Sequence, residues 1–220
     1  MSVPLEDNIT GVILVGGQSR RMGRDKVFLE IGGKPLLERV LEVFSECFKR
    51  VVLVGGREER FAAYGLPCLP DIYPGSALGG LYTGLFHSTT EQIFVSSCDL
   101  PFPNKDVLRY LCSLRECFDA VVPTTVHGYE PLFAIYDKRC LGPMKRLLES
   151  GNFCIYDVYP QIRVRHVTDE ELHQFDREGK SFVNLNTPEQ FDRVNRSFRY
   201  ESRPAFFSGR EKMMPRRSGI

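Results

Sequence analysis

The chain has 220 residues, a length that suits one domain of roughly 150 to 250 residues or two small ones, and at this size about 70% of the unfolded surface can be buried without metal or disulfide. Hydrophobic residues make up 42% and charged residues 26%, which excludes a collagen, a coiled coil and wholesale disorder. The formal net charge is +1, with +3 carried by residues 201–220 and −2 by the rest; nucleic acid is therefore not an expected partner, because it asks for a basic body.

No run approaches the about 18 apolar residues of a membrane span, so no membrane is expected as a partner. Glu6 and Asp7 stand where a secretion signal would place cations, which points to the cytoplasm. The seven cysteines are odd in number and include no C-x-x-C pair, so reduced and mostly buried thiols are expected.

Ile9–Val15 is a β-rich apolar run without alternation, the pattern of a strand buried on both faces. Gly- and Arg-rich sequence follows to Ile31. Over Lys34–Arg50, Leu37, Val40, Leu41, Phe44, Cys47 and Phe48 recur at helical spacing. Val51–Val54 predicts a second buried strand ended by Gly55-Gly56, Gly79–Ser88 a helix, and Ile93–Ser97 a third strand. Asn104 can cap a helix running to about Phe118. Ala120–Val122 and Leu132–Tyr136 read as strands, Lys138–Ser150 as a helix, and Phe182–Leu185 as a short strand. Thr187-Pro188-Glu189-Gln190 carries the cap, first-turn proline and capping-box glutamine of a last helix. Strands alternating with helices give a three-layer α/β fold, a mainly parallel central sheet flanked by helices. Two parts are expected: a domain over residues 1–199 and a flexible basic tail over 200–220.

Ligands of such sheets sit where strands end. The first exit reads LVGGQSRRMGRDK over residues 14–26. Gly16, Gly17 and Gly23 permit tight turns and close approach, and their amides can bind phosphate oxygens. Arg20, Arg21, Arg24 and Lys26 place four cations in seven residues, which an anion such as a nucleoside triphosphate would bring together. Neither G-x-G-x-x-G after the strand nor G-x-x-x-x-G-K-[ST] anywhere is present, which argues against a dinucleotide dehydrogenase or a P-loop ATPase. Asp99 leaves the third strand before Leu-Pro and can hold Mg²⁺ or cap the next turn. Asp71, before a Gly-rich helix start, reads by itself as a turn aspartate or a ligand.

These residues carry a resemblance. The loop over 14–26 resembles the signature of nucleotidyltransferases with a Gly-x-Ser-x-Arg-Met-Gly-x-x-Lys pattern, and within them the molybdenum cofactor guanylyltransferases. The likeness continues through GKPL (33–36), Asp71 with Gly79-Gly80, CDLP (98–101), EPLFA (130–134) and FVNLNTPE (182–189). It implies a Rossmann-like nucleotidyltransferase fold that transfers GMP from GTP to the terminal phosphate of molybdopterin (molybdenum cofactor), with Mg²⁺ and release of pyrophosphate. It further implies Lys26 and Asp99 as catalytic residues, Asp99 as the metal ligand, and Lys26 and Arg21 on the triphosphate. The backbone of Leu14, Val15 and Gly16 would recognise guanine, with Gly17, Gly23 and Asp71 also on the nucleotide. Asn184 and Asn186, alternating along one strand face, would lie near the pterin phosphate or the metal. Apo-molybdoenzymes or their chaperones are further expected partners. Where the family often has an asparagine at the second strand exit, this chain has Val54-Gly55-Gly56, so no residue is assigned there. His87, His127, His166 and His173 read as structural or surface residues. The same fold could serve a cytidylyltransferase or sugar-phosphate nucleotidyltransferase, and a non-catalytic adaptor that delivers the cofactor is the reading from another class.

Overall fold

The computed structural model describes residues 5–16, 26–185 and 187–201. Strand β1 (Glu6–Leu14) opens the chain and lies at the middle of the main sheet. After it, Gly32 and Gly33 both take positive φ, +59° and +79°, the geometry of a two-residue hairpin turn. That turn pairs β2 (Glu30–Ile31) with β3 (Lys34–Pro35). The helix expected from Lys34 therefore begins only at Leu36, as α1 (Leu36–Cys47). Phe48 is already extended, so β4 (Phe48–Val54) follows without a loop.

A short helix α2 (Glu58–Phe61) and strand β5 (Cys68–Leu69) come next. Helix α3 (Ala77–His87) begins two residues before the sequence expectation, because the Ser76 hydroxyl caps it by accepting from the Gly79 amide at 3.0 Å. Strand β6 (Gln92–Ser97) leads to α4 (Lys105–Ser113), capped by Asn104 as expected. This helix stops short of Phe118: Arg115 Nη1 donates to the Cys112 carbonyl at 2.7 Å, and Cys117 takes φ +67°.

Strands β7 (Ala120–Thr125), β8 (Gly128–Tyr129) and β9 (Phe133–Asp137) precede α5 (Leu141–Glu149). The chain closes with β10 (Val164–Thr168), the short α6 (Asp169–Leu172) and α7 (Pro188–Glu201). The strand expected at 182–185 is not one. Residues Lys180–Phe182 form a 3-10 turn, held by the Asp176 carboxylate, which accepts from the Lys180 and Ser181 amides at 3.2 and 2.7 Å. The following residues run past the end of β6, where the Leu185 amide donates to the Asp99 carbonyl at 3.3 Å.

The main sheet has the order β10-β7-β9-β6-β1-β4-β5, with β8 beside β7. It is parallel except at β9, which runs against β6 and β7, and at the β7–β8 hairpin. Side chains of β1 alternate between the two faces with period two. Ile9 and Ile13 join Phe44 of α1, Leu108 of α4 and Phe94 on one side. Val12 and Leu14 join Leu81 and Leu85 of α3 and Met144 of α5 on the other. Each such side chain, fully removed from water, contributes roughly 1.5–3 kcal/mol. A third, small cluster of Ile31, Leu36, Leu185 and Val194 fastens α7 to the β2–β3 hairpin. The three-layer mainly parallel α/β reading holds. Among the described residues no helix is long and apolar enough to cross a membrane.

Candidate active site

Strand β1 pairs in parallel with β4 on one side and β6 on the other. The chain thus goes one way from β1 to β4 and the other way to β6, and the crevice at the carboxyl ends of such strands is where open α/β sheets bind ligands. Three segments meet there: residues 14–16 after β1, 55–56 after β4 and 98–101 after β6.

The first two approach very closely. The Val15 amide donates to the Val54 carbonyl at 2.9 Å and the Gly16 amide shares that oxygen at 3.3 Å. A methyl group on Gly16 would lie 2.7 Å from the Gly55 carbonyl oxygen, and one on Gly55 would lie 2.9 Å from Gly16 Cα. Gly55 also has φ +88°, a conformation costly to other residues. Neither Gly16 nor Gly55 has room for a side chain, because the two backbones lie against each other.

Asp71 completes this corner. Its segment is tied to α3, since the Ile72 amide donates to Thr83 Oγ1 at 2.9 Å and that hydroxyl donates to the Gly79 carbonyl at 2.8 Å. The Asp71 carboxylate faces Gly55 and Gly80: methyl groups on them would lie 3.2 Å from Oδ2 and 3.5 Å from Oδ1. Oδ1 is buried and has no hydrogen-bond partner among the described residues. Burial pushes the Asp71 carboxyl above the ordinary carboxylate range. A buried acceptor without a donor costs on the order of 1–3 kcal/mol, so a ligand bringing an N–H or O–H here recovers that loss.

Asp99 stands on the other side of β1, half-buried in the turn after β6. The Ser97 hydroxyl donates to its Oδ1 at 2.6 Å, which orients the carboxylate. A hard oxygen donor at a strand exit fits a divalent cation that takes one or two protein carboxylates and completes its shell from phosphate and water.

Of the other sequence-predicted residues, Leu14 ends β1 buried against Gly80. Gly17, Arg21, Gly23 and Asn186 lie outside the described residues, as do Arg20 and Arg24. Lys26 begins a 3-10 turn, Lys26–Phe28, and its side chain is likewise outside them. The far end of the Gly/Arg segment is anchored, because Val27 is buried and Phe28 stacks on Phe61 at 5.9 Å between ring centroids. Asn184, its amide 3.4 Å from the Phe182 carbonyl, lies one residue from the Leu185 contact with Asp99.

Asn184 also lines a cavity of about 730 Å³ beyond the ends of β7 and β10. His127, Glu130, His173 and Arg193 line it too. Sequence reasoning missed this group. It set the histidines aside as structural or surface and gave Glu130 no role within EPLFA. A glutamate held between the β7–β8 hairpin and Pro131 was the available signal.

The family described as MobA-like NTP transferase domain matches residues 11–166. A probable molybdenum cofactor guanylyltransferase of Pelotomaculum thermopropionicum is 37% identical over 180 residues, covering 81% of this chain and 88% of its own. The molybdenum cofactor guanylyltransferase of Desulfosudis oleivorans is 32% identical, covering 86% and 95%. Among solved structures, the molybdopterin-guanine dinucleotide biosynthesis protein A of Archaeoglobus fulgidus superposes with a TM-score of 0.78 at 28% identity, over 87% of this chain and all of its own. The glycine corner at β1 and β4, with Asp71 and Asp99 on either side of β1, thus lies in a chain that belongs to the MobA-like NTP transferase family.

Proposed function

We propose that this chain transfers GMP from GTP to the terminal phosphate of molybdopterin and releases pyrophosphate. The observation that carries the reading is the Gly16–Gly55 corner with the buried oxygen of Asp71 that has no partner among the described residues. A nucleoside pressed against that corner meets bare backbone and one waiting acceptor. The names of the curated relatives support the choice of guanine and of molybdopterin.

An acceptor phosphate oxygen attacks the α-phosphorus of GTP, the bond from that phosphorus to the bridging oxygen breaks, and pyrophosphate leaves with the electron pair. The attacking oxygen is already anionic, so no strong general base is required. Catalysis then rests on bringing two polyanions together and spreading charge over the leaving group. Lys26, Arg21 and the amides of Gly17 and Gly23 serve the triphosphate, and the residues 14–16 backbone serves the guanine. Asp99, oriented by Ser97, holds Mg²⁺, which when bound neutralises phosphate charge at the reacting centre. Asn184, with Asn186 two residues further along the chain, serves the acceptor phosphate, and the adjoining cavity receives the rest of the acceptor. The protein works in the cytoplasm as the domain over residues 1–199 with a tail over 200–220, and apo-molybdoenzymes or their chaperones take up its product.

The test is Asp99→Asn. Turnover should fall by at least a hundredfold, the scale of single electrostatic groups in such reactions, with the melting temperature near that of the parent. A folded variant releasing pyrophosphate at the parental rate would contradict the assignment.

A further inference from the structure

The cavity beyond β7 and β10 lies well away from the glycine corner. Strand β7 is three places from β1 in the sheet order, roughly 14 Å at the usual strand spacing. Four carboxylates line it: Glu130, Asp169, Asp176 and Glu178. Three of them are already engaged in holding the fold. Asp169 accepts from the Val126 amide at 2.8 Å, Asp176 from the Lys180 and Ser181 amides, and Glu178 pairs with Lys180 Nζ at 2.6 Å.

Glu130 differs. Among the described residues its hydrogen-bond donor is the Thr125 hydroxyl, 3.3 Å from Oε1, and that one proton is shared with the Gly128 carbonyl, also at 3.3 Å. Its position is set by backbone, the Glu130 amide donating to the Pro123 carbonyl at 2.9 Å and its carbonyl accepting from Phe133 at 3.2 Å. Its backbone is thus fixed at the cavity wall, and among the described residues most of the accepting capacity of its carboxylate is left for what fills the cavity.

Two parallel donors fit such a group best. An aminopyrimidinone edge, a ring N–H beside an exocyclic amine, offers them at the spacing of the two carboxylate oxygens. We propose that Glu130 recognises the acceptor through this edge of its pterin ring and so sets the specificity of the acceptor half of the site. The inference rests on the function proposed above. Burial pushes the Glu130 carboxyl above the usual range, with the Thr125 bond and His127 working against that rise, and two donated hydrogen bonds would offset the same desolvation. Guanine carries the identical edge, so the nucleotide is the other source of this chemistry. Position favours the pterin, because Glu130 lies on the side of Asn184 away from β1.

The test is steady-state pyrophosphate release by the parent and by Glu130→Gln, varying GTP and the molybdopterin acceptor separately. The free heterocycle pterin is titrated against both proteins by its fluorescence. Glutamine keeps the shape but turns one acceptor into a donor. The expected result is a KM for the acceptor and a Kd for pterin each raised about tenfold or more, the scale of losing a bond to a charged group, with the KM for GTP and the melting temperature unchanged. Equal constants for parent and variant would overturn the inference while leaving the guanylyl reaction standing. A rise confined to the KM for GTP would overturn it in favour of guanine at this edge. A parent protein that ignores the molybdopterin acceptor would overturn the function and the inference together.

Discussion

In the proposed function, Asp71 trades stability for binding. Its pKa is raised by burial, so the native state binds the proton more readily than the unfolded state does. Its contribution to stability is therefore fully present below the unfolded pKa and is lost as the pH rises through the higher native value. Asp71→Asn removes that loss. At neutral pH the variant should be more stable by on the order of 1 kcal/mol, a rise of about 2–4 °C in Tm for a chain of this size, and its Tm should depend less on pH between 4 and 7 than the parent's. Its affinity for GTP should fall about tenfold or more, since a hydrogen bond to a charged group is lost. Calorimetry with and without GTP checks both effects. A variant less stable than the parent with GTP affinity intact would contradict the role given to this oxygen.

Elements built from unbroken apolar runs were legible without any structure: β1, β4 and β6 are buried on both faces, and α1 and α4 show their buried stripes. Strand β10 was not, because Val164-Arg165-His166-Val167-Thr168 sits at the sheet edge, where only Val167 is fully buried. The segment over 182–185 looked like a strand by composition, yet its amides are spent elsewhere, Val183 donating to the Lys180 carbonyl and Leu185 to the Asp99 carbonyl. The site divides in the same way. Asp71, Asp99 and the glycines lie in short motifs that a sequence can display, whereas Glu130, His127 and His173 are brought to one cavity only by the pairing of β10 with β7. Gly84 gives a prediction at this scale. Alanine there would gain about 1 kcal/mol in helix propensity, but its methyl would lie 2.6 Å from Val12 Cγ1, and overpacking costs typically 1–3 kcal/mol. Both partners are buried and β1 is fixed by β4 and β6, so the clash should win and Gly84→Ala should lower Tm in a thermal melt. A higher Tm would mean that α3 can move off the sheet.

Taken whole, the proposed reaction spreads along the carboxyl edge of the sheet. The proposed nucleotide corner belongs to β1, β4 and β5, whose chain leads into Asp71, and the proposed acceptor cavity belongs to β7 and β10. Asp99 and Asn184 lie between them, joined through the Leu185 contact. The antiparallel β9 sits in that middle region, so its entry from Pro131 rather than its exit is at the active edge, which is how Glu130 comes to face the cavity. Such an arrangement predicts a reaction that needs both substrates at once and little activity with nucleotide alone. The most direct measurement is pyrophosphate release from each of the four nucleoside triphosphates, with Mg²⁺, in the presence and absence of molybdopterin. Release with GTP, and only when the acceptor is present, is the predicted result. Release with CTP in place of GTP would contradict the guanine assignment, and no release with any nucleotide would contradict the transfer reaction itself.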